Sequence, residues 1–391
     1  MALMDREFAM ADEKFMSTGL RTLITPDGEL RVTLEEESIG DIAPDEVVVR
    51  VEASPINPTD VGLLFGPADF SRMEAFSQNG RPGLRAPIPS KHMSSHEFRP
   101  RIGKSLPVGT EGAGTVVQAG ANAVDLIGKT VSTMSGGMYA GFRRVKAGDC
   151  VVLPEGTSVQ AAASMNANPL TALCMIEVMR SEGHTALIHS AAASSLGQML
   201  NRICIKDGIP LVNIVRSEDQ VKTLHSIGAQ YVVNSSAKSF FEDLTMAIAA
   251  TGASLAFDAV GGGSLTDTIL RAIEASLGAR QIAFSRYGTA TAKQVYIYGS
   301  LNLEPTVLTR TYGSSWSVGR WLFLNFLQKA GNETSLALKK RVLRELSTTF
   351  AVQYKGTLSL NDVLNPEIAK EFARRSTGNK FLVNPSLRST H

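Results

Sequence analysis

The sequence predicts an α/β protein in which a doubly wound parallel sheet accompanies a second region built mostly of strands. From about residue 158 onward, short apolar segments alternate with helical patterns, which is typical of a parallel sheet with crossover helices. Before that point, short alternating or β-branched segments are separated by Gly and Asp turns. At 391 residues the chain is long for one domain, so we expect two.

The individual elements follow from these patterns. In the first region we predict strands at residues 20–24, 30–34, 46–53, 114–117, 130–133 and 140–145. In the second we predict parallel strands at residues 186–189, 211–215, 231–233, 255–258 and 294–299. Residues 62–107 are rich in Pro, Gly and Ser, which predicts a long excursion with one short helix at 71–76. Loops of this length are usually functional or mobile, so we expect a substrate-side lid or a dimer-contact arm.

A turn of small residues is the most informative segment of the chain. A buried strand at residues 186–189 leads into small residues and then into a helix at 198–206. Ala192 and Ser194 occupy the first two glycine places of a G-x-G-x-x-G pattern, and Gly197 keeps the third. Small side chains let the backbone approach a pyrophosphate, which the helix start stabilises. The alternative is a packing turn. We predict that a dinucleotide contacts Ala192, Ala193, Ser194, Ser195, Leu196 and Gly197.

The end of the next strand indicates which dinucleotide is bound. A unit that prefers NAD usually places an acidic residue there, but this chain has Arg216 followed by Ser217. Because a guanidinium fits a 2′-phosphate, we predict NADPH as the cofactor. The competing interpretation is a solvated surface arginine, with Glu218 or Asp219 contacting the ribose.

Composition excludes several classes of protein. The net charge is +2 without a basic run, which gives no support to nucleic-acid binding. No apolar window approaches the length of a membrane span, and residues 1–18 lack a signal-peptide core. We therefore expect a cytoplasmic protein without a membrane partner. Cys150, Cys174 and Cys204 are widely spaced, which favours buried free thiols over disulfides or a metal knuckle.

Four further motifs stand in order around this turn. They are Asn57-Pro58-Thr59-Asp60, Gly109-Thr110-Glu111, Asn168-Pro169-Leu170-Thr171-Ala172 and Asp258-Ala259-Val260-Gly261. Together they resemble the medium-chain dehydrogenase/reductase superfamily, in particular its zinc-free quinone oxidoreductase and enoyl reductase branch, and the resemblance covers nearly the whole chain. It implies a GroES-like catalytic domain at residues 1–158 and 351–391, a Rossmann domain at 159–350, and an active site in the cleft between the domains. We also expect a homodimer.

The same resemblance predicts that the protein carries no zinc. The ligands of the zinc branch fall where this chain has Asn57, Thr110 and Ala167, none of which is a Cys or His. His92, His96 and Glu97 imitate a helical metal pair, but they lie in the Pro-rich excursion, where a solvated loop is favoured. Without such a Lewis acid, hydride delivery to a quinone or an activated C=C is favoured over ordinary alcohol oxidation.

The resemblance also suggests roles for individual side chains. Asn57 and Asn168 are uncharged groups that could orient the cofactor carboxamide or a substrate oxygen, and Thr171 would pack near the nicotinamide. Asp60 lies either near the cleft floor or at a helix start. A proton-donating tyrosine that the branch often supplies is replaced here by Ala68.

The proton donor is therefore open. Tyr139 is either a donor or wall packing, since a phenol with an ordinary pKa near ~10 can donate a proton at neutral pH. Val260 and Gly261 would lie beneath the nicotinamide. Trp316 and Trp321 indicate helix packing or a dimer surface.

Three functions follow from these residues. The first is an NADPH-dependent reductase of quinones or α,β-unsaturated carbonyls. The second is an enoyl-thioester reductase, whose phosphate-bearing substrate the basic residues of the excursion could hold. The third, suggested by the missing tyrosine, is a catalytically silent NADPH-binding protein.

Overall fold

The computed structural model describes residues 16–95, 98–374 and 377–387. The chain divides into two compact units, residues 1–167 with 352–391 and residues 168–351. The strands are β1 (Met16–Ile24), β2 (Glu29–Ser38), β3 (Glu46–Pro55), β4 (Glu74–Gln78), β5 (Arg81–Pro87), β6 (Leu106–Pro107), β7 (Gly112–Ala119), β8 (Thr130–Thr133), β9 (Phe142–Lys146), β10 (Val151–Val152), β11 (Leu187–His189), β12 (Leu211–Val215), β13 (Tyr231–Asn234), β14 (Leu255–Asp258), β15 (Gly261–Gly263), β16 (Lys293–Ile297), β17 (Asn302–Thr306), β18 (Trp316–Arg320), β19 (Gly356–Leu358) and β20 (Phe381–Val383).

Ten helices accompany these strands in the described residues. They are α1 (Pro58–Phe65), α2 (Ser90–Met93), α3 (Val159–Ala162), α4 (Ala167–Ser181), α5 (Ser195–Asp207), α6 (Glu218–Ser226), α7 (Phe240–Thr251), α8 (Leu265–Gly278), α9 (Phe323–Arg344) and α10 (Pro366–Ala373). Helix α9 is interrupted at Gly331, whose backbone leaves the helical region. No helix in the described ranges is both long and apolar enough to cross a bilayer.

The unit formed by residues 168–351 contains a six-stranded parallel sheet with the order β13-β12-β11-β14-β16-β18. Renumbered within the unit, this is the 3-2-1-4-5-6 order of a Rossmann sheet, in which β11 and β14 flank the point where the order reverses. Apolar side chains from β11, β12, β14 and α8 form its core. The predicted doubly wound sheet is therefore confirmed.

The other unit contains two mainly antiparallel sheets, of which the larger has the order β10-β8-β7-β3-β20-β19 with β9 also paired to β3. The smaller sheet has the order β4-β5-β2-β1-β6. Strand β20 pairs with β3, so the C-terminal part of the chain completes the sheet that the N-terminal part begins. This is the β-rich domain that the sequence predicts.

The excursion at residues 62–107 differs from its prediction. The expected helix at 71–76 is wrong, because Glu74–Gln78 forms strand β4, which pairs with β5. Asn79 and Gly80 join the two strands and both have positive φ, which suits a tight two-residue hairpin turn. Leu84 of β5 is 1% exposed and β5 pairs with β2, so the segment belongs to the core. The middle of this stretch is thus part of a sheet, and its role as a substrate-side lid or a dimer-contact arm stays a prediction.

The tryptophans also lie in unexpected places. Trp316 begins β18, the last strand of the parallel order, and is not part of a helix. Trp321 follows that strand and packs edge-on against Phe257, with ring centroids 4.9 Å apart. Among the cysteines, Cys174 and Cys204 are buried free thiols as predicted, whereas Cys150 is only half-buried.

Candidate cofactor turn and buried polar cluster

The small-residue turn forms a tight connection between β11 and α5. Ala191 adopts φ of +51°, a backbone conformation usually left to glycine, and its carbonyl accepts the N–H of Ser194 at 3.0 Å. The left-handed residue of the turn is thus Ala191, directly before Ala192 at the first glycine place of the pattern. The Ser194 hydroxyl accepts the N–H of Gly197 at 3.2 Å and caps the helix.

Gly197 permits the close packing of α5 on the turn. A Cβ atom at this position would lie 2.2 Å from the carbonyl oxygen of Ala192, closer than any real contact. Ala192 and Ala193 are themselves buried, at 0% and 2% exposure. Only very small side chains fit, which agrees with the role expected for the third glycine.

The start of α5 offers backbone donors. The N–H groups of Ser195 and Leu196 belong to its first turn, where no carbonyl of the helix can reach them. Together with the helix dipole, they make a place suited to an anion such as a pyrophosphate. The structure therefore brings the six predicted turn residues together.

Arg216 lies directly after β12, next to the start of α6. Its side chain is exposed, and among the described residues its guanidinium forms no hydrogen bond or ion pair with a protein group. Ser217 caps α6 by accepting the N–H of Gln220. Glu218 accepts a hydrogen bond from the Asn234 amide at 2.6 Å. Because Glu218 is engaged, the arrangement favours a phosphate contact by Arg216 over the acidic alternative at Glu218.

The turn after β14 is held by the carboxylate of Asp258. This carboxylate accepts the N–H groups of Val260 at 2.8 Å and Gly261 at 3.2 Å, and the Ser190 hydroxyl at 2.7 Å. Gly261 has φ of +78°, and a Cβ there would lie 2.9 Å from the Gly299 carbonyl oxygen. Val260 and Gly261 therefore stand on a rigid turn beside the end of β11.

Two residues of this edge escaped the sequence analysis. His189 ends β11, and its Nε2 lies 2.8 Å from the Tyr298 hydroxyl, with the two rings stacked. Burial lowers the pKa of His189 to about 3, so the imidazole is neutral at physiological pH. A histidine within an otherwise apolar strand was the available signal.

Asn168 and Thr171 lie on the first turns of α4, three residues apart and therefore on the same face. Asn168 is half-buried, and Thr171 is 8% exposed. Their predicted contacts with a nicotinamide stay predictions.

In the β-rich unit, Asp60 organises a buried polar cluster. Its carboxylate accepts the N–H of Asn57 at 2.9 Å, which secures the start of α1. The other oxygen accepts the N–H and the hydroxyl of Thr110, at 2.8 and 2.6 Å. Burial raises the pKa of Asp60 to about 6, although the bonds from Thr110 and Asn57 oppose the shift. This position agrees with the helix-start interpretation of Asp60, and a place near a cleft floor stays a prediction.

Glu111 joins three segments of the same unit. One carboxylate oxygen accepts the Asn57 amide at 3.0 Å, and the other accepts the N–H groups of Asn166 and Ala167 at 3.0 and 2.9 Å. The side chain is fully buried, and burial raises its pKa. Lys380 opposes that shift electrostatically, while burial lowers the pKa of the Lys380 ammonium. Sequence reasoning missed both Lys380 and the bridging role of Glu111.

Two polar atoms of this cluster are left without a hydrogen-bond partner. They are the amide oxygen Oδ1 of Asn57 and the ammonium Nζ of Lys380, both buried. Unpaired buried polar groups are costly, so such atoms are typical of places where a ligand completes the bonding.

Tyr139, predicted as a proton donor or as wall packing, lies inside the β-rich unit. Its side chain is fully buried, and its hydroxyl donates to the carbonyl of Pro55 at 3.1 Å. Burial, together with the nearby Asp60 and Glu111, raises its pKa well above the ordinary value. The geometry therefore supports wall packing, and a catalytic role of Tyr139 stays a prediction. Ala68, at the place of the absent tyrosine, is buried in the apolar core.

Asn57, Thr110 and Ala167 stand at the positions that carry zinc ligands in the zinc branch. All three form hydrogen bonds with the carboxylates of Asp60 or Glu111. Thr110 bonds to Asp60, while Asn57 and Ala167 bond to Glu111. Across the described ranges, no group of three His, Cys, Asp or Glu side chains could hold a metal ion. His92 lies in α2, whereas His96 and Glu97 fall outside the described residues.

The chain combines a unit with a Rossmann sheet and a small-residue turn with a second, β-rich unit. No family model matches the chain. It is similar to the mitochondrial enoyl-[acyl-carrier-protein] reductase of Homo sapiens, with 25% identity over 292 residues, 71% of this chain and 64% of that protein. The corresponding bovine protein is 26% identical over 61% of this chain and 58% of its own length. The chain thus spans about three fifths of the length of these relatives.

Other relatives extend the comparison. A protein of Leishmania amazonensis named as a quinone oxidoreductase is 31% identical over 166 residues, 41% of this chain and 47% of that protein. A structure from Mesorhizobium loti assigned as an NADPH:quinone reductase has a TM-score of 0.70 at 22% identity, covering 95% of this chain and 98% of that one. A mutant enoyl thioester reductase from Candida tropicalis has a TM-score of 0.62 at 18% identity, covering 95% and 100%. These comparisons confirm the predicted resemblance to the quinone and enoyl reductase branch.

Proposed function

We propose that this protein is an NADPH-dependent reductase that delivers hydride to a quinone or to the activated C=C of an α,β-unsaturated carbonyl. The observation that carries the proposal is the turn between β11 and α5. There, a glycine that admits no Cβ, a capped helix start and an exposed Arg216 after the next strand combine in one unit. Relatives named as quinone and enoyl reductases support the same chemistry.

The residues of this turn suit NADPH. The N–H groups of Ser195 and Leu196 would bind its pyrophosphate, and Arg216 would bind the 2′-phosphate. Solved neighbours of the same fold are complexes with NADP or NADPH. When bound, the nicotinamide supplies the hydride.

The buried cluster of the β-rich unit supports the substrate half of the proposal. Asn57 presents a buried acceptor, Oδ1, that a carboxamide or a substrate donor would satisfy. Its orientation is fixed because its amide nitrogen donates to Glu111 and its backbone N–H to Asp60. Conjugated acceptors suit such a site, because they delocalise the charge that the hydride brings.

The direct test is NADPH oxidation, followed by its absorbance, with a small quinone and with a crotonyl thioester as separate substrates. Turnover with either one at a rate that falls strongly for Asn57→Ala supports the proposal. Binding of NADPH without turnover on either substrate would favour the silent alternative. No NADPH binding would overturn the proposal.

The enoyl-thioester alternative has one specific support, namely that several relatives carry the name enoyl-[acyl-carrier-protein] reductase. The predicted phosphate-holding residues of the excursion support it less. Arg81 pairs with Glu36 at 3.0 Å, and Arg85 pairs with Glu74 at 2.7 Å. Comparison of the turnover rates with the quinone and with the crotonyl thioester will decide between the two substrate classes.

A homodimer completes the proposal. Strand β18 stands at one end of the six-stranded order, so one of its edges has no strand partner among the described residues. Leu303 and Val307, in and after β17, are 57% and 54% exposed. Proteins usually pair an open strand edge with another strand and cover exposed apolar side chains, and a second copy of the chain would do both. Light scattering should give twice the chain mass, and Leu303→Asp should lower it. The cytoplasmic location stays a prediction, since several relatives are named mitochondrial.

A further inference from the structure

The loop between α8 and β16 carries three large apolar side chains into solvent. Ile282, Phe284 and Tyr287 are exposed by 105%, 96% and 67%. The other large apolar side chains that are exposed in the described residues have exposed fractions between 39% and 63%, so Ile282 and Phe284 stand clearly above them. A contiguous exposed apolar feature of this kind marks an interaction site or an aggregation liability.

The base of this loop, at residues 289–293, is held by hydrogen bonds and an ion pair, although the tip is exposed to solvent. Lys293 at the start of β16 is 1% exposed, and its Nζ lies 2.9 Å from the Glu274 carboxylate of α8. The same carboxylate accepts the N–H of Thr289 at 2.8 Å, and the Lys293 ammonium donates to the carbonyl of Thr291 at 2.9 Å. The three apolar side chains therefore stand on a fixed support.

Charge indicates what the tip meets. The sequence contains no Asp or Glu from residue 275 to residue 303. Arg280 and Arg286 flank Ile282 and Phe284, and Tyr287 follows Arg286. Both arginines are exposed, and the Arg286 guanidinium lies 5.1 Å from the centre of the Tyr287 ring. This combination suits the boundary between lipid headgroups and acyl chains. The apolar side chains can enter the acyl region, while the arginines and the polar end of Tyr287 stay among the headgroups.

The small size of the exposed tip favours a membrane surface over a protein as its binding partner. A stable protein interface buries about 800 Å² on each side, which three side chains on one loop do not supply. A bilayer needs no complementary shape, because side chains enter it one by one while cations meet anionic headgroups.

We propose that the loop at residues 280–287 docks the protein on the surface of a membrane containing anionic lipid. The loop joins the C-terminal end of α8 to the N-terminal end of β16, whereas the cofactor turn follows the C-terminal end of β11. In this parallel sheet the two features therefore lie at opposite ends of the strands, so docking leaves the end that carries the cofactor turn free. The inference goes beyond the proposed function and revises the expectation of no membrane partner, without adding a membrane-spanning segment.

Flotation of the full chain with vesicles tests the proposal. We expect the protein to float with vesicles of phosphatidylcholine and phosphatidylserine, to bind phosphatidylcholine alone more weakly, and to dissociate at high salt. Phe284→Ser should weaken binding about tenfold, the effect of withdrawing one large apolar side chain from the bilayer. Arg286→Gln should weaken only binding to the anionic vesicles.

Leu336→Ser is the matched control, since Leu336 is 54% exposed on α9 of the same unit. It should float like the parent. Retained NADPH oxidation and an unchanged circular dichroism spectrum would show that each variant is folded. If Phe284→Ser does not fold, Phe284→Trp serves instead, with a blue shift of its emission on adding anionic vesicles.

Three results would overturn the proposal. The parent protein stays unbound with both kinds of vesicle, or Phe284→Ser and Leu336→Ser weaken flotation equally. In the third, Phe284→Ser lowers the molecular mass in solution but leaves flotation unchanged, which makes the loop a contact between two copies of the chain.

Discussion

Replacing Gly197 by Ala tests how the cofactor turn is built. An added Cβ would lie 2.2 Å from the carbonyl oxygen, 2.6 Å from the carbonyl carbon and 2.7 Å from the Cα of Ala192. All three are backbone atoms of the turn, so no side-chain rotation relieves the contact, and α5 has to move away from the end of β11. Forcing extra atoms into packed structure costs about 1–3 kcal/mol.

The same displacement moves the donors at the start of α5. If one charge-assisted hydrogen bond to the pyrophosphate is lost, the cost of about 1.5–3 kcal/mol corresponds to about a ten- to hundredfold weaker NADPH affinity. Urea unfolding measures the first effect, and titration of NADPH fluorescence measures the second.

Gly278→Ala provides the matched control in the same unit. Gly278 is the last residue of α8, and no atom lies within 4 Å of a Cβ built there. Because Ala is the better helix former, we expect a change of at most about 1 kcal/mol, in the stabilising direction. The reasoning is refuted if Gly197→Ala unfolds at the parent's urea concentration and binds NADPH with the parent's affinity.

Four further predictions follow from the same structure. Arg216→Ala should weaken NADPH about tenfold or more and leave NADH little changed, since it removes one charged hydrogen bond; equal affinity of the parent for both cofactors would contradict this. Elemental analysis should find well under one zinc per chain, and a stoichiometric, chelator-sensitive zinc would overturn that expectation. Burial raises the pKa of Asp60 from 3.8 to about 6 in the folded state. The folded state therefore holds an extra proton between these values, and its stability should fall as the pH rises through them. In urea titrations Asp60→Asn should make this fall smaller, and Glu111, whose pKa burial also raises, should account for the part that is left. Tyr139→Phe should keep the turnover number while losing about 0.5–1.5 kcal/mol of stability with the bond to Pro55; a large loss of turnover would restore Tyr139 as a proton donor.

The sequence by itself determined those parts of the fold that depend on residues close together in the chain. The alternation of apolar strands with helices predicted the parallel sheet, and the predicted strand at 211–215 has the bounds that β12 has in the structure. The small residues before Gly197 predicted a tight turn, because side-chain volume alone decides how closely backbone segments approach.

Where neighbouring strands compete with local preference, sequence reasoning failed. Residues 71–76 were expected to be helical, but Asn79 and Gly80 close a hairpin that pairs β4 with β5. The Asn-Gly pair was a readable signal for this hairpin. Trp316 likewise joins a strand, since pairing with β16 outweighs the helical spacing of the aromatic residues around it.

Only the tertiary structure decided the bonding of the buried cluster. Glu111 receives hydrogen bonds from Asn57 and Asn166, which lie 54 and 55 residues away in sequence, and Lys380 approaches from the C-terminal part of the chain. The hydroxyl of Tyr139 is likewise committed to a carbonyl 84 residues away. Motifs identify residue types at these positions, but the free energy of a buried polar group depends on partners that folding brings from distant segments.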